Sequence, residues 1–384
     1  MDTSKKQIGG LGIAAIMLMS SLTVMVGNAI TPALPEIGKV YGLGNFASWL
    51  VTAPALGVVV TAIFFGKLID KTGPYKIALG GLLLYAIFGV AGAFMPSTIL
   101  LFIDRFLLGA ATAAIMSSSM TLIASFFEGE KQLKIIAMQG MSMEFGGVIF
   151  LGVSGFLANI SWKSPFFIYG IGFLALLMMV LFIPKIGPIA QSNQEEDQAE
   201  EVNKGVPLPL VLLTAFLGML MFFTAMVSLP LYLQNDLGYS PAFTGYYLAA
   251  LDLIAVLAAG CMPKIVAKIQ AKGCLAVAFL CYSIAYLLYF ISSSPVILGI
   301  AIVFMGLGFG MSTPLFNSLV VNKSTPARKG LNASFCTMAM FGGQFLSAML
   351  VSLLSGTSLF ITASIIAIVI SLCILPIANH YNKY

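Results

Sequence analysis

PSTILLFIDRFLLGAATAAIMSSSMTLIASFF, residues 96–127, carries no charge except the adjacent pair Asp104 and Arg105. A helix needs about 20 predominantly apolar residues to cross a hydrocarbon layer about 30 Å thick, so the stretch reads as a membrane span. A charge at that depth costs roughly 2.5–3.5 kcal/mol on insertion scales, which makes it a functional candidate by default. Arg105 is therefore the first such candidate.

Outward from this span the same composition continues. The 384 residues are 59% hydrophobic and 9% charged, with a mean hydropathy of +1.01. That leaves too little polar surface to coat a soluble globule. Apolar runs between charged or Pro/Gly breaks predict helices near 10–33, 44–69, 75–95, 97–127, 135–157 and 163–184, then near 207–234, 241–263, 273–293, 295–320, 330–355 and 358–377. The expected fold is an all-α polytopic membrane protein of twelve transmembrane helices, with no room for a soluble enzymatic domain. Lys5 and Lys6 before the first run resemble a signal-peptide opening, but the run is too long and lacks a clear small-residue cleavage site.

Basic residues orient the spans. Of the 19 Lys and Arg, Arg105 lies within a span and Lys39 and Lys163 fall in loops on one side; all the others fall on the opposite side. The positive-inside rule then places a multi-pass protein in the cell (inner) membrane with both termini cytoplasmic. The net charge of +5 reflects this asymmetry, since no basic run with interleaved aromatics points to nucleic acid. Cys261, Cys274, Cys281, Cys336 and Cys373 lie in or beside apolar runs without metal-ligand spacing, and His380 is the only histidine. No metal, cofactor or enzymatic nucleophile with its base is expected. The expected partners are a small-molecule substrate, a proton and the bilayer, for a monomer.

The polar stretch 185–206, with Glu195, Glu196, Asp197, Glu200 and Glu201, reads as a solvated cytoplasmic linker between 1–184 and 207–384. The two parts repeat. Gly73 and Gly273, Pro96 and Pro295, and Gly109 and Gly308 recur about 200 residues apart, and Met143–Gly147 parallels Ala339–Gly343. Two pseudo-symmetric six-helix bundles (6+6) account for this, and such halves typically enclose a site near the bilayer midplane. In that register Phe304 stands opposite Arg105 and Met340 opposite Glu144.

Between the second and third spans the chain reads Gly66-Lys67-Leu68-Ile69-Asp70-Lys71-Thr72-Gly73-Pro74-Tyr75-Lys76. Gly66 lets another helix approach, Gly73 permits a tight turn, and Asp70 can cap a helix or pair with a base. The loop resembles the signature of the major facilitator superfamily, matching at Gly66, Leu68, Asp70, Lys71 and Gly73. Pro74 and Tyr75 replace the usual basic pair. Leu101 to Gly109 resembles the family's second motif at its leucine, arginine and glycine, with Leu108 where glutamine is common. Phe150-Leu151-Gly152-Val153-Ser154-Gly155 aligns with the exporter motif of the fifth helix but lacks its proline. Ile30 to Ile37 and Trp162 to Phe166 resemble segments of twelve-helix drug:proton antiporters. The resemblance implies a rocker-switch transporter in which Gly66, Asp70, Lys71 and Gly73 form a conformational-switch loop and Arg105 takes part in proton coupling.

Three acids lie within spans: Asp104, Glu144 and Asp252. At 1.5 Å per residue, Arg105 lies roughly 11 Å below one edge, Glu144 roughly 14 Å above the other and Asp252 roughly 16 Å deep. The depths predict an Arg105–Glu144 pair, with Gly140 and Gly147 leaving room beside Glu144 and Asp252 lining the same cavity. Asp104, about 100° round the helix from Arg105, is expected to face another helix. Asn28, Gln139, Asn317 and Gln344 are further polar candidates within spans, either for ligand or for interhelical bonding.

These features predict proton-coupled antiport: efflux of amphipathic or cationic drug-like molecules, of the multidrug resistance type, with Glu144, Arg105 and Asp252 as coupling or substrate residues. The alternatives are proton-coupled uptake of a nutrient or organic anion clamped by Arg105, and a lipid-handling or sensor protein on the same fold.

Overall fold

The computed structural model describes residues 8–187, 207–322, 324, 329–354 and 356–381. Residues 188–206, with the acidic run of the expected linker, lie outside this set. The helices are α1 (Gly10–Asn28), α2 (Leu34–Val40), α3 (Ser48–Thr72), α4 (Pro74–Ala91), α5 (Thr98–Phe126), α6 (Gly129–Ile160), α7 (Ile171–Phe182), α8 (Leu208–Leu231), α9 (Pro241–Ile291), α10 (Pro295–Asn322), α11 (Lys329–Leu353) and α12 (Thr357–Tyr381). Among the described residues eleven helical stretches are long and apolar enough to cross a membrane, α1 and α2 counting as one. The expected count was twelve. The difference lies in α9, where the two spans expected at 241–263 and 273–293 run together as a single element of 51 residues, kinked at Gln270 (φ 62°, ψ 169°).

Proline decides the largest departure within the first unit. The first span was expected to be one helix, but α1 stops at Asn28 and a 3-10 turn, Thr31–Ala33, leads into α2. Pro32 has no N–H for the preceding turn and its ring clashes with the carbonyl four residues back, so the ladder breaks there. Similarly, Pro165 opens a 3-10 stretch, Ser164–Gly170, before α7. At α5 the start is regular, with the Ser97 hydroxyl accepting the Leu100 N–H at 3.4 Å.

The chain forms two compact units: Met1–Leu43 with Ala53–Asn193 and Pro241–Tyr246, and Gly44–Thr52 with Gln194–Ser240 and Tyr247–Tyr384. Within each unit the same contacts recur. A Cβ on Gly109 of α5 would strike the Pro54 carbonyl of α3, and one on Gly306 of α10 would strike the Leu251 carbonyl of α9. Both members of that contact are displaced by 197 residues. Gly308, the expected counterpart of Gly109, instead packs on Tyr282 and the Ala278 carbonyl. The repeat register around α5 and α10 is therefore 197, which places Ala301 opposite Asp104 and Ile302, not Phe304, opposite Arg105.

Candidate functional site

Arg105 is wholly enclosed, with 0% of its surface exposed. The long guanidinium stem bends round α5 to its own neighbour: Nε and Nη2 donate to Asp104 Oδ2 at 3.1 and 2.6 Å. Arg105 Nη2 also donates to the Phe88 carbonyl at 2.9 Å and the Gly89 carbonyl at 3.4 Å, both on α4. The rings of Phe166 and Tyr169 lie 5.0 and 5.3 Å from the guanidinium carbon, within cation–π range. The expected Arg105–Glu144 pair is thus replaced by Arg105–Asp104. Depth along two helices fixed neither the azimuth of Glu144 nor the reach of a flexible arginine.

The sequence reading missed Tyr85 and Tyr169, which join this centre to α1. Their rings pack edge to face at 5.7 Å. Tyr85 donates its O–H to the Leu22 carbonyl at 2.7 Å and Tyr169 to the Val26 carbonyl at 2.9 Å. Around the α1 break, Thr31 donates to the Gly27 carbonyl at 2.9 Å and Ser154 of α6 donates to the Ala29 carbonyl. Carbonyls released at a break in a membrane helix need such donors, because lipid offers none. The second unit holds a comparable bond to the Met221 carbonyl of α8 from the hydroxyl of Tyr286, one helical turn beyond Tyr282, which the 197 register places opposite Tyr85. The recurrence of tyrosine at Tyr85 and Tyr282, 197 residues apart, is the sequence signal that would have found Tyr85.

Glu144 is half-buried in the middle of α6, which begins six residues earlier than expected. Among the described residues it forms no ion pair. A Cβ on Gly140, one turn away, would meet nothing within 4 Å. Gln139 is interhelical glue: its amide donates to Ser20 of α1 at 2.9 Å and Ser119 of α5 at 3.0 Å. Asn28 is buried at the last residue of α1, and Asp252 and Gln344 are buried in α9 and α11. Asn317 is exposed on α10, with the Cys336 thiol 3.9 Å from its Oδ1. No cluster of three or more His, Cys, Asp or Glu able to hold a metal occurs among the described residues.

At the α3–α4 junction Gly73 takes φ +87°, a left-handed value suited to glycine, and packs against the backbone of Ile186 and Gly187. The expected tight turn is present. One other expectation there is corrected: among the described residues nothing lies within 4 Å of a Cβ built on Gly66, so none of their helices approaches that face. Asp70 sits in the last turn of α3, ahead of Gly73, the N-cap of α4. In α6 the small residues of the exporter-like run do permit close packing, with Gly155 against the Gly245 backbone.

Apolar spanning helices, an internal repeat and a buried ionic centre define the class of a helical membrane transporter. The chain belongs to the Major Facilitator Superfamily, whose family profile matches residues 16–348. The riboflavin transporter RibZ of Clostridioides difficile (strain 630) is 23% identical over 371 residues, covering 82% of this chain and 81% of RibZ. The quinolone resistance protein NorA of Staphylococcus aureus (strain MSSA476) is 29% identical over 218 residues, covering 55% of this chain and 56% of NorA, about half its length. Among solved structures, a POT family transporter in complex with 5-aminolevulinic acid matches with a TM-score of 0.79 at 14% identity over 97% of both chains. A bacterial homologue of the human lysosomal transporter Spinster matches at 0.75 and 15% identity over 96% of both. Identities this low show the fold alone.

Proposed function

We propose that this transporter is a proton-coupled antiporter that exports small amphipathic or cationic organic molecules by alternating access. Two six-helix bundles, 1–184 and 207–384, are joined by the linker 185–206. In this reading α9 contributes two spans, which brings the total to twelve. The observation that carries the reading is Glu144, an acid in the middle of a membrane helix beside open space and without an ion pair among the described residues. Such a carboxylate can bind either a proton or a cationic substrate, and that competition ties the two gradients together. Asp252 is a further candidate acid within a span, and Arg105 takes part in proton coupling.

Asp70 supports the alternating part of the cycle. A carboxylate in the last turn of a helix opposes the macrodipole, a cost of about 0.3–1 kcal/mol. Its place there fits a latch formed in one state of the cycle. The similarity to NorA supports efflux.

The test is transport in proteoliposomes with an imposed pH gradient. Wild-type protein accumulates a fluorescent cationic dye in vesicles with an acidic lumen, and Glu144→Gln lowers the gradient-driven rate at least tenfold with protein yield unchanged. Equal rates for both proteins would remove Glu144 from the mechanism. A second reading, uptake of a vitamin-like solute, is favoured by RibZ matching over most of both chains and by the missing proline in α6. Riboflavin counterflow separates the two.

A further inference from the structure

The Asp104–Arg105 pair is buried but incomplete. One carboxylate oxygen, Oδ2, takes both guanidinium bonds, while Asp104 Oδ1 and Arg105 Nη1 find no protein partner. Leaving a buried polar group unsatisfied is costly, so a pair serving stability alone is expected to have its remaining lone pairs and N–H groups enclosed by partners. The cation, by contrast, has support independent of Asp104 in the Phe88 and Gly89 carbonyls and the faces of Phe166 and Tyr169. Those groups keep the guanidinium solvated by the protein when the carboxylate is neutral. The second unit shows that the packing does not require the pair. There, at the register of 197, Ala301 and Ile302 occupy the positions of Asp104 and Arg105, both buried.

We infer that Asp104 is a proton-binding site. Its carboxylate takes one proton from a hydronium ion, which leaves as water, and becomes a neutral acid with the new O–H on the unpartnered Oδ1. The charge of the pair rises from zero to one positive, and that charge rests on the two carbonyls and two rings around Arg105. The titratable and charged groups facing the site are Arg105 on α5, Tyr85 on α4 and Tyr169 on the 3-10 stretch before α7; α1 presents the Leu22 and Val26 carbonyls. Neutral Asp104 loosens its hold on Arg105, which settles further onto Tyr169, whose hydroxyl pins Val26 beside the α1 break. Proton occupancy at Asp104 thereby biases the break in α1. This deepens the antiport reading by adding a second proton site, and it rests on that reading only for its consequence in transport.

Infrared difference spectroscopy of the full chain in lipid nanodiscs, across a pH titration and without substrate, reads the carboxylic-acid C=O stretch. The expected result is a band that shifts on carbon-13 labelling of aspartate, persists in Asp252→Asn and Glu144→Gln, and is lost in Asp104→Asn. In Asp104→Glu the band instead responds to labelled glutamate, which covers the case where the asparagine variant fails to fold. An aspartate band lost in Asp252→Asn and kept in Asp104→Asn, or no buried aspartate band at any pH, overturns the proposal. Absence of gradient-driven transport would sink the antiport reading and leave this result standing.

Discussion

Gln139 and Glu144 lie five residues apart on α6, yet their surroundings assign them different work. The Gln139 amide is spent on Ser20 and Ser119, and each serine also donates to a carbonyl of its own helix, Ile16 and Met116. Replacing Gln139 by Leu therefore strands neither hydroxyl. Interhelical bonds in membranes average about 0.6 kcal/mol and reach about 1.7, so Gln139→Leu should cost about 1 kcal/mol. Thermal unfolding in detergent checks the cost, and the transport rate should stay within twofold of wild type. A stable Gln139→Leu protein without transport would make Gln139 a ligand contact. The same comparison shows why the site was only half legible from sequence. Which residues are polar and in-span was readable, and so was the anomaly at Arg105. Partner choice was not, because it depends on helix azimuth and on the reach of a long side chain.

At the level of elements the apolar runs overlap each of the eleven membrane-capable helices among the described residues, since the cost of exposing backbone to lipid forces long helices whatever the side chains. Breaks inside spans were harder to read. Pro32 ends α1, whereas Pro54 in α3 and Pro314 in α10 are carried within continuous helices. Neighbours that supply donors to the freed carbonyls decide which occurs, and sequence does not show them. Glycine was equally ambiguous. Gly66 and Gly109 both stand in family-like motifs, but only Gly109 has a neighbouring backbone where its Cβ would go. Gly109→Ala should destabilise by about 1–3 kcal/mol through overpacking against Pro54. Gly66→Ala should be neutral or stabilising by about 0.5–1 kcal/mol, the ordinary helical gain of alanine over glycine. Melting temperatures of the two variants test the contrast. If Gly66→Ala melts normally but blocks transport, Gly66 is a contact surface used in another state of the cycle.

For the whole molecule the open count of spans carries a topological consequence. At 1.5 Å per residue the 51 residues of α9 extend roughly 76 Å, more than twice a hydrocarbon core of about 30 Å. Its middle carries Lys264, Lys268 and Lys272 around the kinked Gln270, whereas its ends, near Tyr239 and Ser292, carry no basic residue. Lysines resist translocation, so this pattern fits two spans meeting on the cytoplasmic side. Twelve spans keep both termini on one side, while eleven would put the C-terminus outside. In a variant lacking the five native cysteines, cysteines placed at Lys71, Lys268 and Lys383 should resist a membrane-impermeant maleimide in intact cells. Cysteines placed at Lys39, Lys163 and Ser292 should react with it. Reaction at Lys268 from outside would make α9 something other than a pair of spans. Reaction at Lys383 alone would leave that pair intact but force an odd count elsewhere, and with it the loss of the 6+6 arrangement on which the alternating-access reading depends.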